Sequence, residues 1–178
     1  INFLTSHPKD FNRETVEVIR DNPNISRAIH LPLQSGSDRI LALMNRRYTI
    51  GQYYKVIEDI VGILNDYAIS TDLIVGFPGE TEEEFKMTID AMRRIRFDEA
   101  FTYAYSPREG TAAYTLEETL SREEKIARLN ELIAVAREIA HAKLMQRINR
   151  DEETLVETIS KKSPEEVMGK TFLNHPVV

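Results

Sequence analysis

Residues 71–81 (Thr-Asp-Leu-Ile-Val-Gly-Phe-Pro-Gly-Glu-Thr) constrain the fold more than any other part of this chain. An apolar run of strand-forming residues leads directly into a Gly-Phe-Pro-Gly turn, and an acidic helix start follows. In α/β proteins, ligands bind at the edge formed by the carboxyl ends of parallel strands. Gly76 and Gly79 carry no Cβ, so a ligand can approach the backbone closely at this turn. The segment therefore predicts a ligand-binding sheet edge with unpaired backbone amides.

The first 105 residues alternate between strand-like and helix-like patterns. Near-continuous apolar runs predict strands, and amphipathic stretches between them predict helices. Capping boxes are expected where Thr49 precedes Gln52 and where Thr81 precedes Glu84. This alternation predicts an α/β fold, with a parallel sheet covered by helices on at least one face. The predicted strands are residues 2–6, 28–33, 69–75 and 99–105.

The pattern changes after Tyr105. Residues 106–111 read as a polar loop, and Ser121 with Glu124 predicts the capped start of a long helix that runs to about residue 149. Its predicted buried stripe is Ile126, Leu129, Ile133, Ala136, Ala140 and Leu144. Residues 154–159 and a stretch starting near Gly169 predict strands of a small β module. The chain thus divides into residues 1–150 and residues 151–178.

Composition excludes several classes of protein. With 42% hydrophobic and 29% charged residues, the 178-residue chain is typical of a globular domain with a core. It has no cysteine, which excludes disulfides and thiolate metal sites built from this chain alone. The net charge of -6 argues against a general nucleic-acid coat. No apolar run is long enough for a transmembrane helix, and the first residues do not form a signal peptide. We expect the chain to be part of a longer protein.

Three segments combine a strand end with polar or glycine residues. In the first, Gln34 and Ser35 can hydrogen-bond to sugar hydroxyls or carboxylates. In the second, Asp72 is a charged residue inside an apolar strand, so it needs a partner or a cavity. In the third, Arg108 beside a glycine turn can hold a carboxylate or phosphate. We interpret His30 as a core histidine. Since no nucleophile–base pair stands out, the residues by themselves predict only a ligand-binding α/β fragment.

Four segments, taken in order and spacing, closely resemble the radical S-adenosylmethionine (SAM) methylthiotransferase family. The resemblance covers nearly the whole chain and is greatest to the branch that modifies tRNA. That branch adds a methylthio group to C2 of N6-dimethylallyladenosine next to the anticodon. The segments are residues 5–8 (Thr-Ser-His-Pro), 30–38 (His-Leu-Pro-Leu-Gln-Ser-Gly-Ser-Asp), 71–81 and 105–111 (Tyr-Ser-Pro-Arg-Glu-Gly-Thr).

The resemblance implies a fold and a set of ligands. Residues 1–150 would be the later part of a partial (β/α) radical SAM barrel, and residues 151–178 the beginning of a TRAM module, an RNA-binding β barrel. SAM would be bound by Gln34, Ser35, Asp72, Ile74, Gly76, Gly79 and Tyr105. The tRNA would contact Arg108, Lys161 and Lys162. Tyr103 would also lie near the substrate.

The family's two 4Fe-4S clusters are held by cysteines that this chain lacks, so we expect no catalytic or metal-binding residue here and an inactive fragment. The resemblance further implies a cytoplasmic, monomeric parent protein that is not bound to membranes, and it leaves the sulfur donor open. Two alternatives remain within the family, namely modification of threonylcarbamoyl-adenosine in tRNA or of a ribosomal-protein aspartate. Alternatives of other classes are a cluster-free RNA-binding or scaffold protein and a non-radical nucleotide-binding barrel.

Overall fold

The computed structural model describes residues 1–3 and 7–178. Within these residues the helices and strands alternate as far as β3, and a long helix then leads to three further strands. One 3-10 helix, Ala112–Thr115, lies in the loop after β3. The order is α1 (Arg13–Asp21), β1 (Ala28–His30), α2 (Asp38–Leu43), α3 (Ile50–Ile63), β2 (Ala68–Val75), α4 (Glu82–Ile95), β3 (Glu99–Ala104), α5 (Arg122–Met145), β4 (Thr154–Ile159), β5 (Val167–Thr171) and β6 (Pro176–Val177).

The first sheet is parallel, with the order β1-β2-β3. This confirms the predicted α/β fold class. The predicted strand over residues 2–6 falls on residues 4–6, which lie outside the described part of the chain, as does part of the 5–8 segment. β1 is shorter than predicted because Pro32 has no N–H. The N–H of Leu33 then donates to the Thr71 hydroxyl (2.9 Å) instead of a backbone carbonyl. Pairing resumes at Gln34, which bridges Leu73.

The core lies between the parallel sheet and its helices. Alternate residues of β2, such as Leu73 and Val75, are buried against helix residues such as Phe85 and Leu132. The other residues of β2 face the opposite, concave side of the sheet, because successive side chains of a strand point to opposite faces. Those positions are only half-buried. The sheet therefore has one packed face and one open face, as expected for part of a barrel.

The predicted helix starts are confirmed. Thr49, Thr81 and Ser121 each accept a hydrogen bond from the backbone of the residue three positions on, and each forms a complete capping box. Asn12 caps α1, and its side chain accepts a hydrogen bond from the Thr15 N–H. Within the described ranges, none of the helices is long and apolar enough to cross a bilayer.

The predicted stripe of α5 is wrong by about one position. Ile126 and Leu144 are exposed, whereas Lys125, Leu132, Val135 and Ile139 are buried. Lys125 and Arg128 also turn inward, where they form ion pairs with Glu118 and Glu80. It also ends at Met145, earlier than the predicted residue 149.

The second sheet is antiparallel, with the order β4-β5-β6. β4 matches the predicted strand, and β5 begins two residues before the expected Gly169. The two sheets are linked by the Ser26 hydroxyl, which donates to the Phe172 carbonyl (2.9 Å). On the α5 side, Lys143 Nζ donates to Asp98 (2.6 Å), just before β3.

Candidate functional site

The three strand ends of the parallel sheet come together at one edge. Gln34 donates its N–H to the Asp72 carbonyl (2.8 Å) and accepts from the Ile74 N–H (2.9 Å). On the other side of β2, the Tyr105 N–H donates to the Val75 carbonyl (2.8 Å). Gln34, Gly76 and Tyr105 therefore lie at the same end of the sheet.

Gln34 has an unusual backbone at this edge. Its φ is +70°, in the left-handed region that non-glycine residues rarely adopt, and it is 5% exposed. Strained residues of this kind cluster at ligand sites, where the surrounding structure fixes them. Here Leu73 supplies that constraint through the isolated bridge described above.

The amides of the Gly-Phe-Pro-Gly turn do not match the prediction. The Gly76 N–H donates to Glu80 Oε2 (2.8 Å), and the Gly79 N–H donates to the Thr119 hydroxyl (3.0 Å). The prediction that both are unpaired is wrong, because Glu80, directly after the turn, binds the first and Thr119, in the loop before α5, binds the second. A ligand at this turn would thus contact side chains, carbonyls and van der Waals surface rather than these two amides.

The two glycines of the turn have different surroundings. At Gly76, φ is +71° and an added Cβ would lie 2.6 Å from Lys125 Cγ, so packing against α5 requires glycine there. At Gly79, φ is +81° and the nearest atom to an added Cβ is Arg39 Nη1 at 3.8 Å. Close approach of a ligand is consequently possible at Gly79 and is blocked on the Lys125 side of Gly76.

Glu80 connects the turn to α5. It is 3% exposed, and its Oε2 accepts from Gly76 N–H and from Arg128 Nη1 (2.7 Å). No described residue lies within hydrogen-bonding distance of its buried Oε1. Burial raises the pKa of the Glu80 carboxyl, although the Gly76 and Arg128 donors oppose this.

Glu84 connects the turn to the loop after β1. Arg39 donates to both carboxylate oxygens through Nε (2.8 Å) and Nη2 (2.6 Å), and Ser37 Oγ donates to Oε1 (2.8 Å). The Arg39 guanidinium lowers the pKa of Glu84 to about 2, and the Thr81 N–H and Ser37 hydroxyl act in the same direction. Arg39 Nη2 also donates to the Gly79 carbonyl (2.5 Å). The two ligand-edge loops are therefore held together by one arginine.

Asp72 lies on the open face and has a partner there. His30 Nε2 is 3.3 Å from Asp72 Oδ2, and His30 Nδ1 is 2.9 Å from Ser70 Oγ. The His30 ring also packs edge-on against Phe101, with ring centres 5.9 Å apart. The expectation that a charged residue in this strand needs a partner is confirmed. His30 thus lies on the open face rather than in the core.

Other predicted cofactor residues occupy different environments. The Ser35 hydroxyl is fully buried against Thr88 Oγ1 (3.5 Å), so the structure places it inside the fold. Ile74 is half-buried and pairs with Tyr103 across the sheet. Tyr105 packs edge-on against Phe77 at 5.0 Å and donates its hydroxyl to the Ala113 carbonyl (3.1 Å).

The predicted substrate residues are exposed and distant in sequence from the turn. Arg108 lies in the loop after β3, where its carbonyl accepts from the Thr111 hydroxyl (2.8 Å). Lys161 and Lys162 lie in the turn between β4 and β5. Cationic side chains in such exposed positions are available to phosphate groups.

Besides Arg39 and Thr119, described above, the sequence analysis missed four further residues that shape the site. Glu80 and Arg128 form the anchor to α5, and Lys125 covers Gly76. Tyr48 donates to the carbonyls of Pro32 (3.0 Å) and Leu33 (2.9 Å), and burial raises its pKa to about 12. For Glu80, a carboxylate directly after the turn was the available signal. Across the described residues, no group of three or more His, Cys, Asp or Glu side chains could hold a metal ion.

Comparison with known proteins gives a consistent result. The sequence model of the radical SAM superfamily matches residues 1–92. Proteins named tRNA-2-methylthio-N(6)-dimethylallyladenosine synthase are similar over nearly the whole chain. The one from Parabacteroides distasonis is 45% identical over 179 residues, covering 100% of this chain and 39% of the relative. That from Geobacillus thermodenitrificans is 43% identical over 174 residues, covering 98% of this chain and 33% of the relative.

The chain therefore spans between 33% and 39% of the length of these two relatives. Two solved structures share its fold. Coproporphyrinogen III oxidase (HemN) from Escherichia coli, a radical SAM enzyme, has a TM-score of 0.63 at 19% identity, covering 76% of this chain and 31% of that chain. Elp3 from Methanocaldococcus infernus has a TM-score of 0.56 at 22% identity, covering 74% of this chain and 31% of that chain.

Proposed function

We propose, from the premise that this chain belongs to the radical SAM superfamily, that the longer protein containing it is a tRNA methylthiotransferase. Its reaction would place a methylthio group on C2 of N6-dimethylallyladenosine next to the anticodon. The observation that carries this proposal is the similarity along the whole chain to relatives that bear the name of this activity. Residues 1–150 would form the later part of the barrel, and residues 151–178 the start of an RNA-binding module.

SAM would lie along the edge formed by the three strand ends. Gln34, with its constrained backbone, and Asp72, held by His30, offer hydrogen-bonding groups for hydroxyl and amino functions. Ile74 and the Tyr105 ring offer apolar surface for the adenine. The open side of Gly79 allows close approach to the backbone.

Two of the implied SAM residues would act indirectly. Gly76 would hold the turn in shape, because its N–H is already bound by Glu80. Ser35 would support the loop after β1 through its buried hydroxyl, which accepts from the Ser37 N–H (3.2 Å). Their contribution to the site is therefore the position of the loops and not a contact of these polar atoms with the ligand.

The residues of this chain do not fit an iron–sulfur cluster of the family. Thiolates are the usual ligands of a 4Fe-4S cluster, and the chain has no cysteine. The two clusters would be held by parts of the longer protein outside this chain. When bound, a cluster supplies the electron that splits SAM; the part of this chain is to bind, orient and shield.

The tRNA partner would be contacted by exposed cations. Arg108 follows the last strand of the parallel sheet, and Lys161 and Lys162 lie in the β4–β5 turn. Such side chains neutralise phosphates without reading the base. A tRNA-modifying enzyme of this type would act as a monomer in the cytoplasm.

The test is an assay of the full-length protein with SAM and with tRNA that carries N6-dimethylallyladenosine. Mass spectrometry of the digested tRNA is expected to show the 2-methylthio product. In the isosteric variant Asp72→Asn, we expect the Kd for SAM to rise about 10-fold, the loss of one hydrogen bond to a charged group. Calorimetry measures this, and Glu83→Gln, an exposed carboxylate on α4, is the matched control.

Three results would contradict the proposal. Methylthio products found only on threonylcarbamoyl-adenosine or on a ribosomal-protein aspartate would transfer the activity to another branch of the family. Binding of RNA by the full-length protein without any binding of SAM would support a cluster-free RNA-binding or scaffold protein instead. Tighter binding of ATP than of SAM would indicate a non-radical nucleotide-binding barrel.

A further inference from the structure

The side chains on the two faces of β3 differ in size. Its outward positions, Ala100, Thr102 and Ala104, are small and pack towards the helices. Its inward positions carry two large rings on the open face of the sheet. Phe101 is 41% exposed and Tyr103 is 51% exposed. Large aromatic side chains in the middle of a strand usually gain most from burial. These two leave much of their apolar area uncovered, so the open face holds surface for a flat or apolar group.

The register places these rings beside one another on that face. Phe101 pairs with Asp72 and Tyr103 pairs with Ile74 across β2 and β3. Since a strand rises about 3.3 Å per residue, Tyr103 lies about 7 Å and Phe101 about 13 Å below the edge marked by Tyr105. Phe101 also lines a groove of about 770 Å³ that includes His30, Ser70 and Leu144. This volume is in the range of small-molecule sites.

The charges around the rings restrict what can pack on this surface. The inward positions of the three described parallel strands carry the carboxylates of Asp72 and Glu99 and no lysine or arginine. Asp72 is paired with His30, and Glu99 lines the groove. Two cations from α5 and β5 also line the groove, on its other walls. A neutral apolar group is compatible with the Phe101–Tyr103 surface, whereas a group with its own carboxylate finds no lysine or arginine on these strands.

We propose that Phe101 and Tyr103 form the wall that recognises the apolar N6 substituent of the target base. This inference rests on the proposed function and names the residues that select its substrate. SAM would lie over β1 and β2, at Gln34, Asp72 and Ile74, and reach Tyr105 at the edge. The base would enter beside it over β3, with its five-carbon substituent packed on the Tyr103 and Phe101 rings. Both rings offer apolar surface to this substituent and contact the rest of the base little. Bases with a carboxylate in the substituent, such as threonylcarbamoyl-adenosine, are disfavoured by the same wall.

The experiment compares two tRNAs that differ only in this substituent. The full-length protein and its variants Phe101→Leu and Tyr103→Leu are titrated with tRNA carrying N6-dimethylallyladenosine and with the same tRNA carrying adenosine. We expect each variant to bind the dimethylallyl tRNA about 10-fold more weakly, because the substituent then buries less apolar surface. The Kd for the adenosine tRNA changes much less, and the Kd for SAM stays the same. Tyr103→Phe keeps the ring and is expected to bind like the wild type.

A matched control is available outside the wall. Tyr114 is an exposed tyrosine of the 3-10 helix, and Tyr114→Leu is expected to leave the ratio of the two tRNA affinities unchanged. Thermal unfolding and SAM titration establish that each variant is folded. If Phe101→Leu lowers the unfolding midpoint, Tyr103→Leu decides the question, because its ring is the more exposed of the two.

The outcomes separate this inference from the proposed function. Equal weakening for both tRNAs, or no weakening for either, overturns the role of Phe101 and Tyr103 in reading the substituent. A wild-type protein that forms no methylthio product on the dimethylallyl tRNA, but forms it on another substrate, overturns the proposed function itself. If the wild-type protein is active and the Phe101 and Tyr103 variants bind both tRNAs as the wild type does, only the proposed role of these two residues is overturned.

Discussion

Two carboxylates beside the same turn have opposite environments. Glu80 is 3% exposed and Glu84 is 8% exposed, so they differ little in burial. They differ in their donors. Both donors of Glu80 reach the same oxygen, Oε2, and its Oε1 has no described partner. Both oxygens of Glu84 are bound, by Arg39, Ser37 and Thr81.

The difference shows that the number and placement of donors decides the ionisation of a buried carboxyl. Burial dominates at Glu80 and raises its pKa, whereas the arginine dominates at Glu84 and lowers its pKa to about 2. The Glu80 side joins the turn to α5, and the Glu84 side joins it to the loop after β1. Burial of the Glu80 carboxylate thus costs free energy on one side of the ligand site, whereas the contact of Glu84 with Arg39 stabilises the other side.

The largest effect is expected from removing Arg128. Arg128→Met leaves the Glu80 carboxylate buried with only the Gly76 N–H, and such unpaired charges cost about 3–5 kcal/mol of unfolding free energy. Urea unfolding at pH 7 measures this loss. The difference from wild type shrinks on acidification, because Glu80 can then take up a proton in the folded state.

The double variant Arg128→Met/Glu80→Gln is the control for this prediction. It removes both charges, so we expect it to recover more than half of the loss. A double variant as unstable as Arg128→Met would mean that Arg128 contributes through packing, for example its contact with the Phe85 ring at 5.4 Å, and not through the charge of Glu80.

The next prediction compares two glycines, Gly36 in the loop after β1 and Gly76 in the turn after β2. At Gly36, an added Cβ would lie 2.3 Å from the Met87 carbonyl oxygen, a backbone atom of α4. At Gly76 it would meet the flexible Lys125 side chain. We expect Gly36→Ala to cost about 3 kcal/mol, since α4 must shift, and Gly76→Ala about 2 kcal/mol, mainly from its positive φ. Urea unfolding of the two variants compares them, and a larger loss at Gly76 would contradict this order.

The smallest effect concerns Glu84 and its pH dependence. The shift of its pKa from the ordinary value of 4.5 to about 2 corresponds to about 3 kcal/mol, which we reduce to about 2 kcal/mol because Arg39 is half-exposed. A lowered pKa gives stability that is complete above about pH 4.5 and is lost as the pH falls to about 2. The difference between wild type and Glu84→Gln is therefore greatest at neutral pH.

For Glu80→Gln, we expect the pH dependence of stability relative to wild type to have the opposite sign. A raised pKa means that the wild type loses stability as the pH rises through the titration of Glu80. Glu80→Gln thus gains relative to wild type with rising pH, while Glu84→Gln loses. Unfolding curves across the pH range measure both, and Glu83→Gln serves as the exposed control. Parallel pH profiles for the two variants would show that the donors do not distinguish these carboxyls.

Local signals in the sequence were sufficient for much of the fold. The capping boxes at Thr49, Thr81 and Ser121 depend on residues three positions apart, and all three are present in the structure. The gathering of Gln34, Gly76 and Tyr105 at one edge follows from the parallel connection of the strands. Both features need no knowledge of distant contacts.

The site depended on contacts that the sequence does not display. Lys125 and Arg128 are polar residues on a helix, so helical periodicity placed them outward. In the structure both turn inward and form ion pairs with Glu118 and Glu80. Arg128 also holds the Glu80 carboxylate in place, and this carboxylate accepts the hydrogen bond of the Gly76 N–H. The inward position of Arg128 and the bound Gly76 amide therefore depend on contacts between residues far apart in the chain, and not on local helix propensity.

Because α5 has 24 residues, it is a rod about 36 Å long, and its two ends hold different parts of the molecule. Near its start, Lys125 and Arg128 brace the turn after β2. At its finish, Lys143 binds Asp98, and Arg147, just beyond the helix, binds Asp66 and Glu152. The helix therefore fixes the distance between the turn after β2 and the residues that lead into the antiparallel sheet.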